Sequence, residues 1–324
     1  MPLVVTMTLA HLSYKKQRDK YFVMKTYSQL IEAIKPKPSK PLSFRLLPAK
    51  PWTICDVFAS PAPKGLITIC MNGADIFYDS DLKMFDVNKL RTNYPAWVRE
   101  LDKYGRALRN YFDMQGSNKT SYISKILEMA ACKNRADWTY WTGGKVYRGL
   151  GKTPADLKNY SYTGELMKAV GDDWLIGSTT YKSHYEIQSW TPNIKVAARF
   201  AISAEDNIDM KNSMAAMIEL DIDGSDTFLS PQIIRKLSEY PGEDEVLRVK
   251  NNAVPVVLYI RLKDILFHLQ TKTPKNIQGN EDTHLPYMIK LFEGLMGSAN
   301  AKKLLANPTV FAKIKKLVKF DVKF

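Results

Sequence analysis

Glu243 and Glu245 stand two residues apart in the stretch Pro241-Gly242-Glu243-Asp244-Glu245-Val246-Leu247, after a Pro-Gly turn and before an apolar run with strand character. On an extended backbone, side chains at i and i+2 point the same way, so both carboxylates can serve one small site while Asp244 faces elsewhere. Such a pair can stabilise a developing positive charge and move a proton at the same place. A solvated turn before a strand has the same pattern, so the acids need partners from elsewhere in the chain. Two segments offer them. In Val146-Tyr147-Arg148-Gly149-Leu150 an arginine ends a short apolar run and a glycine follows. Arginine presents a planar fork suited to phosphate, and glycine lets a ligand approach the backbone. In Ser189-Trp190-Thr191 a strand ends in small hydroxyl residues, and Val196-Ala197-Ala198-Arg199-Phe200-Ala201 follows as a helix. Thr191 or Asn193 can cap that helix, with Pro192 near its first turn.

Other chemistries lose support. The chain contains no GxGxxG, P-loop, HExxH or GxSxG motif, and His11, His184, His268 and His284 show no ligand spacing. Cys55, Cys70 and Cys132 form no CxxC pair, and their odd number argues against a disulfide framework or a zinc site and for a reducing compartment.

An Arg on a strand, a Ser-x-Thr strand end with Val-Ala-Ala-x-Phe behind it, and Glu-x-Glu before a strand, in that order, resemble the R-S-E class of mono-ADP-ribosyltransferases. The matching segments span 145–249. Ser238–Leu247 also looks like that family's target-recognition turn, with Tyr240 as its aromatic residue. The resemblance implies an α+β fold in which two packed β-sheets form an NAD cleft beside a helical lobe. It implies that NAD is the substrate, cleaved at the nicotinamide–ribose bond without a metal, and that ADP-ribose passes to arginine. Carried over residue by residue, it gives Arg148 the NAD phosphates and the Gly149 backbone the carboxamide. Ser189 would orient Glu245, Glu245 would hold the ribose hydroxyl, Glu243 would orient or deprotonate the incoming guanidinium, and Tyr240 would contact the target. Ser178-Thr179-Thr180 is a closer literal match to a Ser-Thr-Ser motif, but no Ala-Ala-x-Phe helix follows it at the right distance, so Ser178 is expected in a loop over NAD. Trp190 is bulky where the family pattern often has a small residue.

These residues need elements to hold them. Residues 1–85 read as a small basic mixed module with a proline strap, Lys35-Pro36-Lys37-Pro38-Ser39-Lys40-Pro41. It includes β-like runs at 42–47, 52–59 and 66–70, and a hairpin turn at Met71-Asn72-Gly73-Ala74 leading into Ile76-Phe77-Tyr78. The transferase domain would occupy 86–324, with the helical lobe at 86–140, the NAD-binding core at 141–265, and C-terminal helices with a basic tail at 266–324. Trp97, Leu101, Tyr104, Leu108 and Tyr111 recur at helical spacing as one apolar face, and a second helix is expected over 122–132. Strands are expected at 145–147, 185–189, 215–220, 245–249 and 254–262. Helices are expected near 154–160, 194–204 and 287–305. In the tail, Phe311, Ile314, Leu317 and Val318 can form one face of a basic helix, suited to packing on the domain or to a membrane surface or RNA.

Charge narrows the partners. The net charge is +14; residues 1–140 hold 22 Lys+Arg against 12 Asp+Glu, the remainder 25 against 21. A basic front half suits an acidic partner, including RNA or a ribonucleoprotein, and also suits simple solubility. Residues 1–12 are apolar without a basic leader, and no apolar run has bilayer length. The expectation is a protein acting in a host cytoplasm, virion-associated or injected. Together with the extra N-terminal module, these features resemble phage Mod/Alt-type enzymes that modify host transcription or translation proteins. The alternatives are a bacterial effector acting on actin or a GTPase, an RNA-directed transferase, and a basic binding or virion protein with a decayed transferase fold.

Overall fold

The computed structural model describes residues 52–59, 71, 76–79, 83–86, 91–112, 119–132, 143–150, 157–183, 185–203, 214–223, 227–229, 244–249, 252–278 and 281–319. In chain order these form α1 (Ile54–Phe58), β1 (Ile76–Asp79), β2 (Lys83–Asp86), α2 (Pro95–Phe112), α3 (Lys119–Ala130), β3 (Gly143–Leu150), β4 (Ser161–Ala169), β5 (Asp172–Tyr181), β6 (Gln188–Trp190), α4 (Ile194–Ser203), β7 (Ala216–Asp223), β8 (Thr227–Leu229), β9 (Val246–Arg248) and β10 (Val254–Arg261). Five helices follow: α5 (Leu262–Thr271), α6 (Lys275–Gln278), α7 (Glu281–Met296), α8 (Ser298–Leu305) and α9 (Pro308–Lys319). The protein is α+β.

The chain divides into two units, Met1–Arg45 with Asp75–Val87, and Leu46–Ala74 with Asn88–Phe324. In the first, β1 and β2 pair as an antiparallel hairpin with Ile76 opposite Asp86. In this division the described residues 52–59 and 71 fall in the larger unit.

Within that unit a five-stranded antiparallel sheet runs β3-β7-β10-β5-β4, and a three-stranded antiparallel sheet runs β6-β9-β8. Strand alternation divides the large sheet into two apolar faces. Val146, Leu175, Ile218, Leu258 and Ile260 lie on the side that packs against Leu266, Phe292, Leu304 and Ile314 of the C-terminal helices. Trp174, Met217 and Tyr259 lie on the other, against Ala197, Ala198 and Ala201 of α4. The strands β4 and β5, absent from the sequence expectation, meet in a two-residue turn at Val170 and Gly171, with φ of 53° and 82°. Two positive φ values match the right-handed twist of a hairpin. Ser178 lies inside β5, opposite Val257, and not in a loop.

The helical lobe comes next. In α2, Trp97, Leu101, Tyr104 and Leu108 are buried, as their spacing predicts. The exposed face carries Arg106–Asp102 and Lys103–Glu100 pairs at 3.2 and 3.5 Å, which add little in water. The Tyr104 hydroxyl donates to Glu128 of α3. The run 52–59 forms a helix and not a strand. Thr53 and Asp56 make a reciprocal capping box at its start, a signal visible in the sequence. Met71, expected in a turn, is helical and fully buried. Contrary to the cysteine reading, Cys55 and Cys132 are bonded to each other, with Cα atoms 5.1 Å apart. An odd count leaves room for one bridge, and only folding brings two cysteines 77 residues apart together.

The tail helix α9 turns Val310 and Ile314 inward, and Lys313 Nζ lies 2.6 Å from Asp173 of β5. Its apolar face is thus used for packing at these positions; the side chains of Leu317 and Val318 lie outside the described residues. Asn300 and Asn307 donate to the carbonyls of Tyr160 and Gly164, both at 2.8 Å, which ties α8 and the start of α9 to the edge of the large sheet. Among the described residues no helix is long and apolar enough to cross a membrane.

His284 of α7 is 3% exposed, and neither ring nitrogen has a hydrogen-bond partner. Burial lowers its pKa, so the folded chain keeps it neutral when the unfolded chain takes up a proton. This contribution is complete above the unfolded value of about 6.5 and is lost as pH falls from there toward the lower folded value. Urea midpoints should fall between pH 7 and pH 5 in the wild type and fall less in His284→Leu. Parallel curves for the two proteins would contradict this.

Candidate active site

Arg148 sits near the end of β3, Ser189 in the middle of β6, and Glu245 one residue before β9. Short strands bring them together. Tyr147 and Thr191 exchange backbone hydrogen bonds of 2.7 and 2.9 Å, which joins the edge of the large sheet to the small one. Ser189 lies opposite Leu247, and Trp190 opposite Val246. Glu245, two residues before Leu247, therefore falls on the Ser189 face as its diagonal neighbour. Arg148 closes the group, with Nη1 donating to the Ser189 carbonyl at 2.6 Å across 41 residues of sequence. Its Nε is buried and has no hydrogen-bond partner. A guanidinium N–H held out of water without an acceptor suits an anionic ligand oxygen.

The segment after β6 is locked by capping. The Thr191 hydroxyl accepts from the Asn193 N–H at 3.1 Å, and the Asn193 side chain accepts from the Lys195 N–H at 3.0 Å. Of the two capping candidates, Asn193 caps α4 and Thr191 braces the turn before it. Trp190 points into the core, edge-on to Tyr181 with ring centroids 6.0 Å apart. Its bulk lies on the face opposite Ser189 and leaves that face free of it.

Gly149 has a packing reason. A Cβ there would stand 2.5 Å from the Ala197 carbonyl oxygen and 2.6 Å from the Ala201 nitrogen, both α4 backbone. The Tyr147 backbone bonds Thr191, away from β7, and alternation turns the Gly149 N–H and C=O toward that same edge. The glycine thus admits α4 on one face while its polar groups face the side where Ser189 lies.

The extended path expected between Glu243 and Glu245 does not form. Asp244 has φ of 49°, in the left-handed region that Asp tolerates better than most residues. Strand parity therefore does not carry through Asp244. Glu245 is half-buried and engaged with neighbours. Glu243 and Tyr240 lie outside the described residues.

Sequence reading missed one member of this group. Tyr111, assigned to the apolar face of α2, is half-buried at the last turn of that helix and stands close enough to Ser189, Glu245 and Arg148 for all three to act on its hydroxyl. Burial raises its pKa; Ser189 and the Arg148 guanidinium pull it down, and the Glu245 carboxylate pushes it up. One phenol thus feels all three residues. Its place as the fifth aromatic or apolar residue of a helical stripe hid this, because periodicity reports only which face it shares.

Comparison with protein-family models, curated proteins and solved structures found no match to the chain.

Proposed function

We propose that the chain is a mono-ADP-ribosyltransferase that cleaves NAD and transfers ADP-ribose to an arginine of a host protein. The observation that carries the reading is the convergence of Arg148, Ser189 and Glu245, from three segments far apart in sequence, at the junction of two sheets. The five-stranded and three-stranded sheets with a preceding helical lobe are compatible with the transferase fold that the resemblance implies.

In this reading Arg148 takes an NAD phosphate on its unpartnered Nε–H, and the outward Gly149 N–H and C=O take the carboxamide. Glu245 holds a hydroxyl of the nicotinamide ribose. The C1–N bond breaks, and nicotinamide leaves with the electron pair. The ribose acquires oxocarbenium character, as in glycoside cleavage. A carboxylate beside that charge stabilises the transition state more than the ground state. Glu243 accepts the proton of the attacking guanidinium, which is cationic and a poor nucleophile until deprotonated. The basic front half of the chain suits an acidic target such as a ribosome-associated or polymerase-associated protein, reached in the host cytoplasm.

The test is incubation with NAD labelled in the adenosine and a bacterial or eukaryotic lysate, then mass spectrometry of the labelled product. Nuclease-resistant label on arginine is expected. Label lost to nuclease would replace the protein target with RNA, and no label with either lysate would remove the transferase reading.

A further inference from the structure

Cys55 and Met71, both before α2, hold the lobe that delivers Tyr111. Two contacts fix them. At one end Cys55 of α1 is bonded to Cys132, just past α3. At the other, the Met71 backbone lies against α2 so closely that a Cβ on Gly105 would stand 2.0 Å from its carbonyl oxygen. The same carbonyl accepts from Arg109 Nη1 at 2.5 Å. Arg109 is two residues before Tyr111, on the final turn of α2. The five-residue α1 packs on α2 and α3 and is too short to be stable by itself. Its place depends on burial of Ile54, Val57 and Phe58 and on the bond.

We propose that the Cys55–Cys132 bond is a redox clasp on this lobe: when oxidised it keeps α1 and the Met71 contact seated on α2 and Tyr111 against Ser189, and its reduction releases them and lowers turnover at the site. The effect on turnover rests on the NAD-cleaving reading above. The reductant is a small dithiol or a dithiol protein. Its thiolate attacks one sulfur, the S–S bond breaks, and the mixed disulfide resolves to the oxidised reductant. Two electrons and two protons pass to the chain, leaving two thiols. Cys132 is buried and Cys55 half-buried, so Cys55 is the more accessible of the two residues. A chain carried oxidised and exposed to a reducing cytoplasm would lose activity with time, which bounds its action after delivery.

The experiment compares oxidised chain, chain treated with dithiothreitol, and Cys55→Ser, by amide hydrogen exchange and by nicotinamide release from NAD. Reduction should raise exchange over residues 104–112 about tenfold or more and lower release about tenfold, both reversed by reoxidation. Cys55→Ser should match the reduced chain and ignore the reductant. Equal exchange in the two redox states overturns the clasp, and so does unchanged release with raised exchange. If neither state cleaves NAD, the reading of the site fails instead. The clasp is then decided by exchange over 104–112, where a redox-dependent rise supports it and equal rates overturn it.

Discussion

Glu245→Gln is expected to lower nicotinamide release by about a hundredfold to a thousandfold, with NAD affinity nearly unchanged. The amide keeps the shape and a hydrogen-bond acceptor, so ground-state contacts survive. In the proposed mechanism, what it removes is the negative charge beside the ribose when the C1–N bond breaks. An interaction present mainly in the transition state shows in kcat and not in KM. Glu243→Gln should behave differently. If that residue acts on the incoming guanidinium, its amide loses transfer to arginine while water still receives the ribose. Transfer and hydrolysis measured on both variants separate the roles. Full transfer activity in Glu245→Gln would sink the assignment, and parallel loss of both activities in Glu243→Gln would remove its role in acceptor activation.

Gly149→Ala is expected to destabilise the fold by about 1–3 kcal/mol and to disable the site. The added methyl meets the α4 backbone at Ala197 and Ala201, and a backbone atom cannot swing aside as a side chain can. The helix must move off the sheet. Because α4 is capped through Asn193 and braced through Thr191, its movement pulls on the strand that carries Ser189. Denaturant midpoints and NAD binding read the two effects. Wild-type stability in Gly149→Ala would show that α4 relaxes freely and that the close approach has no cost.

Much of the scaffold was legible because burial follows period. The α2 stripe, the β10 run and the α4 helix each carry enough apolar residues at one spacing to announce themselves. The hairpin of β4 and β5 did not, since Ser161–Ala169 mixes polar and apolar residues on an edge strand and turns at a valine. That Arg148 and Ser189 would meet, with Glu245 on the Ser189 face, was legible through the order of their motifs. Tyr111 and the Cys55–Cys132 bond were not, because each depends on how the lobe folds back, and no local pattern encodes a contact between segments 77 or 78 residues apart. Asp244 failed for the opposite reason: strand parity was assumed through a residue that adopts left-handed backbone.

The most direct test is the rate of nicotinamide release from NAD by the purified, oxidised chain, with Glu245→Gln measured beside it and NAD binding measured for both. The account expects steady release by the wild type, loss of release in the variant, and similar binding by the two. Wild type that binds NAD without releasing nicotinamide, or a variant that releases it at the wild-type rate, would contradict the claim that Arg148, Ser189 and Glu245 form an NAD-cleaving site.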